Sequence, residues 1–190
     1  MTKVQVGQLN FFDLGCVIAY SIVSEKDKGS DYLSRFTFIA SDYELREIDL
    51  SGIIKGTVKE LREMNLNPRP ELSFNLDKLR DDVKAIFIPD GIDTGGLQIS
   101  RCTNPPYGLE EYIKKRYIYW LGGSFGINWR NQLQEYLNTN IQEGKPIGLW
   151  SIWFGWSEFE EMFYKKIELS KINSCNFELL DQKDCCFIIE

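Results

Sequence analysis

Histidine is absent from all 190 residues. Its absence excludes Ser-His-Asp and Cys-His nucleophilic mechanisms, histidine acid–base catalysis and most zinc and iron sites, since each needs an imidazole. Cysteine is scarce. Cys16, Cys102, Cys175 and the neighbours Cys185 and Cys186 make an odd total of five. They form no C-x-x-C pair, and the chain carries no N-x-S/T sequon, so a reducing cytoplasm is the expected compartment. Long apolar runs are missing too. The longest, Leu14 to Val23, is about half of what a bilayer span requires. Only Lys3 precedes it as a positive charge and no small-x-small site follows, so it does not read as a secretory leader. The C-terminus does not read as a prenylation box, because Phe187 stands where a cysteine is needed. No membrane partner is expected. Positive charge is in deficit: 22 Lys and Arg against 28 Asp and Glu give a net charge of -6. A phosphate backbone is gripped by surplus cations, so nucleic acid is not an expected partner. The long-range field of an acidic chain steers it toward basic ones.

What the chain does contain is apolar and aromatic mass. Hydrophobic residues make up 43% and aromatics 14%, which argues against disorder and for a packed core. The length suits a single globular domain over residues 1–190. Leu14 to Val23 reads as a strand buried on both faces, and Tyr32 to Ser41 alternates as its hairpin partner. The period then changes. Ile53, Ile54, Thr57, Val58, Leu61 and Met64 recur at three and four, one face of a helix. Asp49 or Ser51 can cap it, or Thr57 with Glu60 can form a capping box one turn later. A short helix is expected over Asp77 to Lys84, then strands at "AIFIPD" and "GGLQISR".

After the loop "TNPPYG", Leu109, Tyr112, Ile113, Arg116, Tyr117, Trp120 and Leu121 predict a helix stopped by Gly122 and Gly123. A second helix is expected over Ile127 to Asn138, with Trp129, Leu133, Tyr136 and Leu137 inward. Pro146 to Trp156 is apolar on both alternating faces, as a central covered strand reads. Residues 158–168 fit a helix opened by Ser157 and Glu160, and also fit a returning strand; the helix is the preferred of the two. "CNFELL" and "CCFIIE" read as closing strands joined by "DQKD". Together these predict an α+β fold: a mixed, mainly antiparallel sheet from N- and C-terminal strands, with helices packed on it.

Several short stretches bear on chemistry. Ile92 to Gly96, "IDTGG", resembles the catalytic loop of aspartic proteases, which implies that Asp93 shares a proton with a second carboxylate while Thr94 fixes its geometry. The chain has no second Asp-Thr/Ser-Gly, so this implies a dimer. As a plain loop, "DGIDTGG" is turn-forming chemistry; it lacks the spacing of a calcium loop and the Lys-Ser/Thr of a phosphate loop. "KKRY" (Lys114 to Tyr117) reads as a solvated helix face, with Glu110 and Glu111 one turn earlier as ion-pair partners. Cys185 and Cys186 are expected to point to opposite faces of one strand as buried thiols. Glu158, Glu160 and Glu161 beside the tryptophans give the carboxylates a glycosidase needs.

Trp150 and Trp153 read as core. Trp156, after Gly155 and beside the three glutamates, reads as an aromatic anchor ringed by acids, the form of a hot spot for a basic partner. The expected function is therefore to bind and neutralise another, basic protein. Such a chain is similar in character to the immunity proteins that bacteria keep against toxin nucleases. The expected partner-binding residues are Trp156, Glu158, Glu160, Glu161, Asp90 and Asp93. No catalytic residue, metal or cofactor is expected, and the molecule is expected to be a monomer or homodimer. The alternatives are a carboxylate hydrolase centred on Asp93 or on the glutamates, and a structural or assembly subunit.

Overall fold

The computed structural model describes residues 16–19, 34–66, 78–154 and 162–190. In chain order its strands are β1 (Cys16–Ala19), β2 (Ser34–Ser41), β3 (Ile48–Asp49), β4 (Ile54–Thr57), β5 (Lys84–Ile88), β6 (Gln98–Arg101), β7 (Tyr117–Gly122), β8 (Ile147–Phe154), β9 (Phe163–Ile167) and β10 (Cys185–Ile189). The helices are α1 (Val58–Glu63), α2 (Leu109–Tyr112, a single turn) and α3 (Ile127–Asn140), with 3-10 segments at Leu169–Lys171 and Ser174–Asp181. The chain divides into two compact units, Met1–Ser24 with Gly52–Asp93, and Glu25–Ser51 with Thr94–Glu190.

The first unit holds a three-stranded antiparallel sheet in the order β1-β5-β4. Thr57 ends β4 and opens α1 through a reciprocal cap. The Glu60 main-chain N–H donates to Thr57 Oγ1 at 3.2 Å, and the Thr57 main-chain N–H donates to Glu60 Oε2 at 2.6 Å. The Thr57 main-chain N–H and the Thr57 hydroxyl, both donating to Glu60 Oε2, hold the Glu60 carboxyl below its usual range. Val58 and Leu61 then bury against Ala85, with Val83 and Phe87 packed around them. The helix expected from Ile53 thus begins only after Thr57, because Ile54 to Thr57 pair with β5. Of the helix expected at Asp77 to Lys84, only Lys78 among the described residues is helical, in 3-10 form; Asp81 and Asp82 lie in a turn and Lys84 opens β5.

The second unit is a seven-stranded sheet in the order β3-β6-β7-β2-β8-β10-β9, antiparallel throughout except for β10 with β9. This is the expected α+β architecture, with β6 and β7 from the middle of the chain added to the terminal strands. One face carries Tyr119, Ile39, Leu149 and Phe187 in a row across β7, β2, β8 and β10. Helix α3 covers it with Trp129, Leu133, Tyr136 and Leu137, the four residues its period predicts. The other face carries Trp120, Phe38, Trp150 and Cys186, covered by Leu109 and Ile113.

Four readings of local pattern are overturned here. β2 is not the hairpin partner of β1: it lies between β7 and β8, while β1 pairs with β5. The long helix from Leu109 to Leu121 stops after one turn, and Tyr117 to Gly122 form a strand. A strand with both faces covered is apolar at every position, so it satisfies a spacing of three and four by accident. "CNFELL" is a 3-10 segment opened by Asn173, whose side chain accepts from the Cys175 N–H at 3.1 Å, and it buries Phe177 and Leu180 three apart. Of the stretch 158–168, the described Phe163–Ile167 is strand and not helix, and it runs parallel to β10.

Gly148, near the start of β8, is held to glycine by the Trp150 ring. A Cβ there would lie 2.0 Å from the Trp150 ring, so the indole lies across the glycine. Gly148→Ala is expected to cost about 1–3 kcal/mol by overpacking. Denaturant unfolding measures this, and Trp150→Phe in the same chain should recover part of the loss.

Cys185 and Cys186 lie on opposite faces, as expected, and both are buried. Burial pushes the Cys185 thiol up to about 12 and the Cys186 thiol up to about 11, from 9.0. The folded state therefore prefers the neutral thiols. That contribution is complete below pH 9.0, where unfolded thiols are neutral too, and it is lost as pH rises toward the folded values. The unfolding midpoint is expected to fall as pH rises above 9.0. Replacing both cysteines with alanine should remove the part of that fall that begins near the unfolded thiol value. Thermal melts across alkaline pH test it.

Candidate functional site

Of the expected partner-binding residues, Trp156, Glu158, Glu160 and Glu161 lie outside the described residues. Asp90 and Asp93 are exposed on the loop after β5, where Gly91 takes a left-handed φ of 70°. The glycines of "DTGG" have a packing role. A Cβ on Gly96 would stand 2.1 Å from the Leu50 carbonyl oxygen, and the Gly95 carbonyl accepts from the Ser124 N–H at 2.9 Å. Only glycine permits that approach of two backbones.

Trp153 departs from its expected place in the core. It is 38% exposed, whereas Trp150 is buried. Trp153 ends the covered part of β8 directly opposite Arg35 on β2. The Arg35 guanidinium lies 4.8 Å from the centre of the Trp153 ring. Its Nη2 donates to the Gln182 carbonyl at 2.9 Å, and its Nη1 donates to the Asp181 carbonyl. Those carbonyls end the 3-10 segment Ser174–Asp181, where acceptors have no partners within the helix and the dipole favours a cation. The Trp153 main-chain N–H donates to Asp184 Oδ1 at 3.1 Å. Beside it, the Lys183 ammonium stands 4.0 Å from the centre of the Phe163 ring. Two cations thus stack on two aromatics at one end of the sheet. Among the described residues neither Arg35 nor Lys183 has an ion-pair partner.

A second cation–aromatic cluster occupies the opposite end of the strands. The Arg101 guanidinium lies 4.8 Å from the Tyr117 ring and 5.4 Å from the Tyr119 ring, and Nη1 stands 3.5 Å from Glu44 Oε1. Arg116 approaches Tyr117 at 5.2 Å. Tyr119 Oη accepts from the Leu45 N–H at 2.9 Å, and Tyr136 Oη donates to the Arg46 carbonyl at 2.7 Å, so two tyrosines from the core pin the loop after β2. Burial, then the neighbouring Tyr119 and Tyr43, raises the Tyr136 hydroxyl well above its ordinary value, which keeps it a donor. "KKRY" lies here and not on a helix face. With α2 ended at Tyr112, Lys115 pairs with Asp42 in place of Glu110 or Glu111.

The groups whose ionisation is raised by burial (Tyr43, Tyr136, Cys102, Cys185 and Cys186) are thereby held neutral. Among the described residues no group of three acidic or thiol side chains is placed to hold a metal ion. The arrangement is one of arginine–aromatic pairs at the two ends of the sheet, with Trp153 partly exposed and Tyr119 buried. The sequence singled out the tryptophans but not Arg35 or Arg101. Each is the one charged residue of its strand, a signal too weak to single either out.

Removing Arg35 should leave carbonyls unpaired as well as a bare indole. A double-mutant cycle of Arg35→Ala and Trp153→Ala is expected to give a coupling of about 0.5–1 kcal/mol in urea unfolding, with Arg35→Ala the costlier single change. No protein-family model, no curated protein and no solved structure matches the chain.

Proposed function

We propose that this chain acts by binding another protein and neutralising it, as immunity proteins hold a basic toxin, with Trp153 as an anchor next to the acidic segment. The observation that carries the reading is the placement of Trp153, 38% exposed, with the Arg35 guanidinium over its ring at the end of a central strand. An aromatic ring fixed before contact gives up little conformational freedom on binding. Trp156, Glu158, Glu160 and Glu161 follow within eight residues of it in sequence, and the net charge of -6 favours a basic partner. In this reading the glutamates set polarity and encounter rate, and the tryptophans supply most of the buried area.

The test is capture of a partner from native lysate on the immobilised chain, identified by mass spectrometry. A basic protein should be retained at low salt and released at about 0.5 M salt, where surface charge is screened. Trp153→Ala, and separately Glu158→Gln with Glu160→Gln and Glu161→Gln, should each weaken its retention by about tenfold or more. The captured protein's own activity should fall on adding the chain. Retention of no basic protein, or equal retention by the wild type and both variants, overturns the proposal.

A further inference from the structure

β9 is an edge of the seven-stranded sheet: β10 lies on one side of it, and no described strand lies on the other. Its main-chain pairing is readable. Phe163 N–H donates to the Asp184 carbonyl at 3.0 Å, and the Ile167 carbonyl accepts from the Glu190 N–H at 3.1 Å. Phe163, Lys165 and Ile167 therefore turn their main-chain groups toward β10. By the strand's period of two, Tyr164 and Lys166 turn theirs outward. The side chains along this edge are open, with Tyr164 58% exposed and Lys165 and Lys166 also exposed.

The charge of the edge is opposite to that of the chain. Lys166 pairs with Glu190 at 3.6 Å, but Lys165 and Lys183 have no ion-pair partner among the described residues. Lys165 shares its face with Phe163, over whose ring Lys183 stands at 4.0 Å. A protein of net charge -6 thus carries a short cationic strip where main-chain donors and acceptors point outward.

We propose that β9 is a docking edge for an extended acidic segment of a partner protein, added as an eighth strand. The outward N–H and carbonyl groups of Tyr164 and Lys166 pair with the incoming main chain. Lys165 and Lys183 meet carboxylates on one face, while Tyr164 offers apolar contact on the other. A second copy paired antiparallel about Lys165 would set that lysine against its own copy, a like-charge contact that an acidic segment avoids. A nucleic acid fits badly as well, since it has no main-chain donor and acceptor at strand spacing. This edge lies close to the Trp153 anchor proposed above, since Asp184 beside Lys183 accepts from the Trp153 main-chain N–H, but it requires a partner of the opposite charge, so either proposal can fail while the other stands.

The test uses the full chain and two short labelled peptides, one alternating valine with glutamate and one alternating valine with lysine, by fluorescence anisotropy. The glutamate peptide should bind about tenfold or more tightly than the lysine peptide and weaken as salt rises. Lys165→Glu with Lys183→Glu should abolish that preference. Tyr164→Pro removes one outward N–H without removing a bond to β10, and should weaken binding about tenfold while the melting temperature reports that the fold persists. If Tyr164→Pro unfolds the chain, the lysine variants decide alone. Equal binding of both peptides, or no binding, overturns the proposal and leaves the lysines as guards against edge-to-edge aggregation. So does a single-stranded oligonucleotide that binds the strip more tightly than the glutamate peptide.

Discussion

The second unit depends on β8 being covered on both faces. Ile147 to Ile152 are all buried, and this one strand takes its neighbours β2 and β10 into register on either side. Because side chains alternate, each covered strand must supply two cores at once. Leu149 and Phe187 face α3, while Trp150 and Cys186 face the segment around Leu109 and Ile113. The neighbouring cysteines of β10 follow from the same constraint: each is a small apolar filler for a different layer. A one-residue slip of β10 would exchange the layers that Cys185, Cys186 and Phe187 fill. Gly148 belongs to this arrangement, since it makes room for the Trp150 ring to lie along the sheet.

Cover ends where β8 runs out. Ser151 and Ile152 are buried, Trp153 is partly open, and the carbonyls closing the 3-10 segment need donors. Arg35 resolves both: it caps the carbonyls and shields the indole. At the far end of the sheet, on β6 and β7, Arg101 stacks near Tyr117 and Tyr119, with Glu44 as its counter-charge. The two ends differ in one respect that matters for recognition. Arg101 has its carboxylate, whereas Arg35 has no ion-pair partner among the described residues.

The class of fold was legible in the sequence because it rests on composition and on a few segments of clear period. Trp129, Leu133, Tyr136 and Leu137 announce α3, and the apolar run from Ile147 announces a covered strand. The Thr57–Glu60 cap was legible too, since the residues that make it are adjacent. Pairing was not. β9 lies beside β10 although β8 precedes it in the chain, and β2 pairs with β7 across a long separation. Register across such distances depends on tertiary packing that no local pattern encodes. β7 was misread for a related reason. Its residues are apolar at every position, so only the pairing with β2 and β6 decides between helix and strand. For the candidate site, the aromatic anchors were visible as residue types, while their cations were not, because Arg35 and Trp153 meet only through the register of β2 on β8.

That register also bears on how charge is organised. In sequence the acids and bases are mixed, and the surplus of acids alone implies a uniformly acidic surface. The fold sorts part of them. Asp42, Glu44 and Glu178 are matched by Lys115, Arg101 and Arg130, which removes them as free negative charge. The cations left without ion pairs among the described residues include Arg35 and Lys183 at one end of the strands, Lys165 on β9, and Arg46, Lys114, Arg116 and Lys145 in the segments at the other end. Pairing by tertiary structure has therefore left local groups of bases on a chain whose net charge is negative. Net charge describes the far field that a distant partner senses, but contact is governed by these local remainders. A partner drawn in by the overall negative field would meet, along β9, a strip of the opposite sign, and that strip is a consequence of strand order and not of composition.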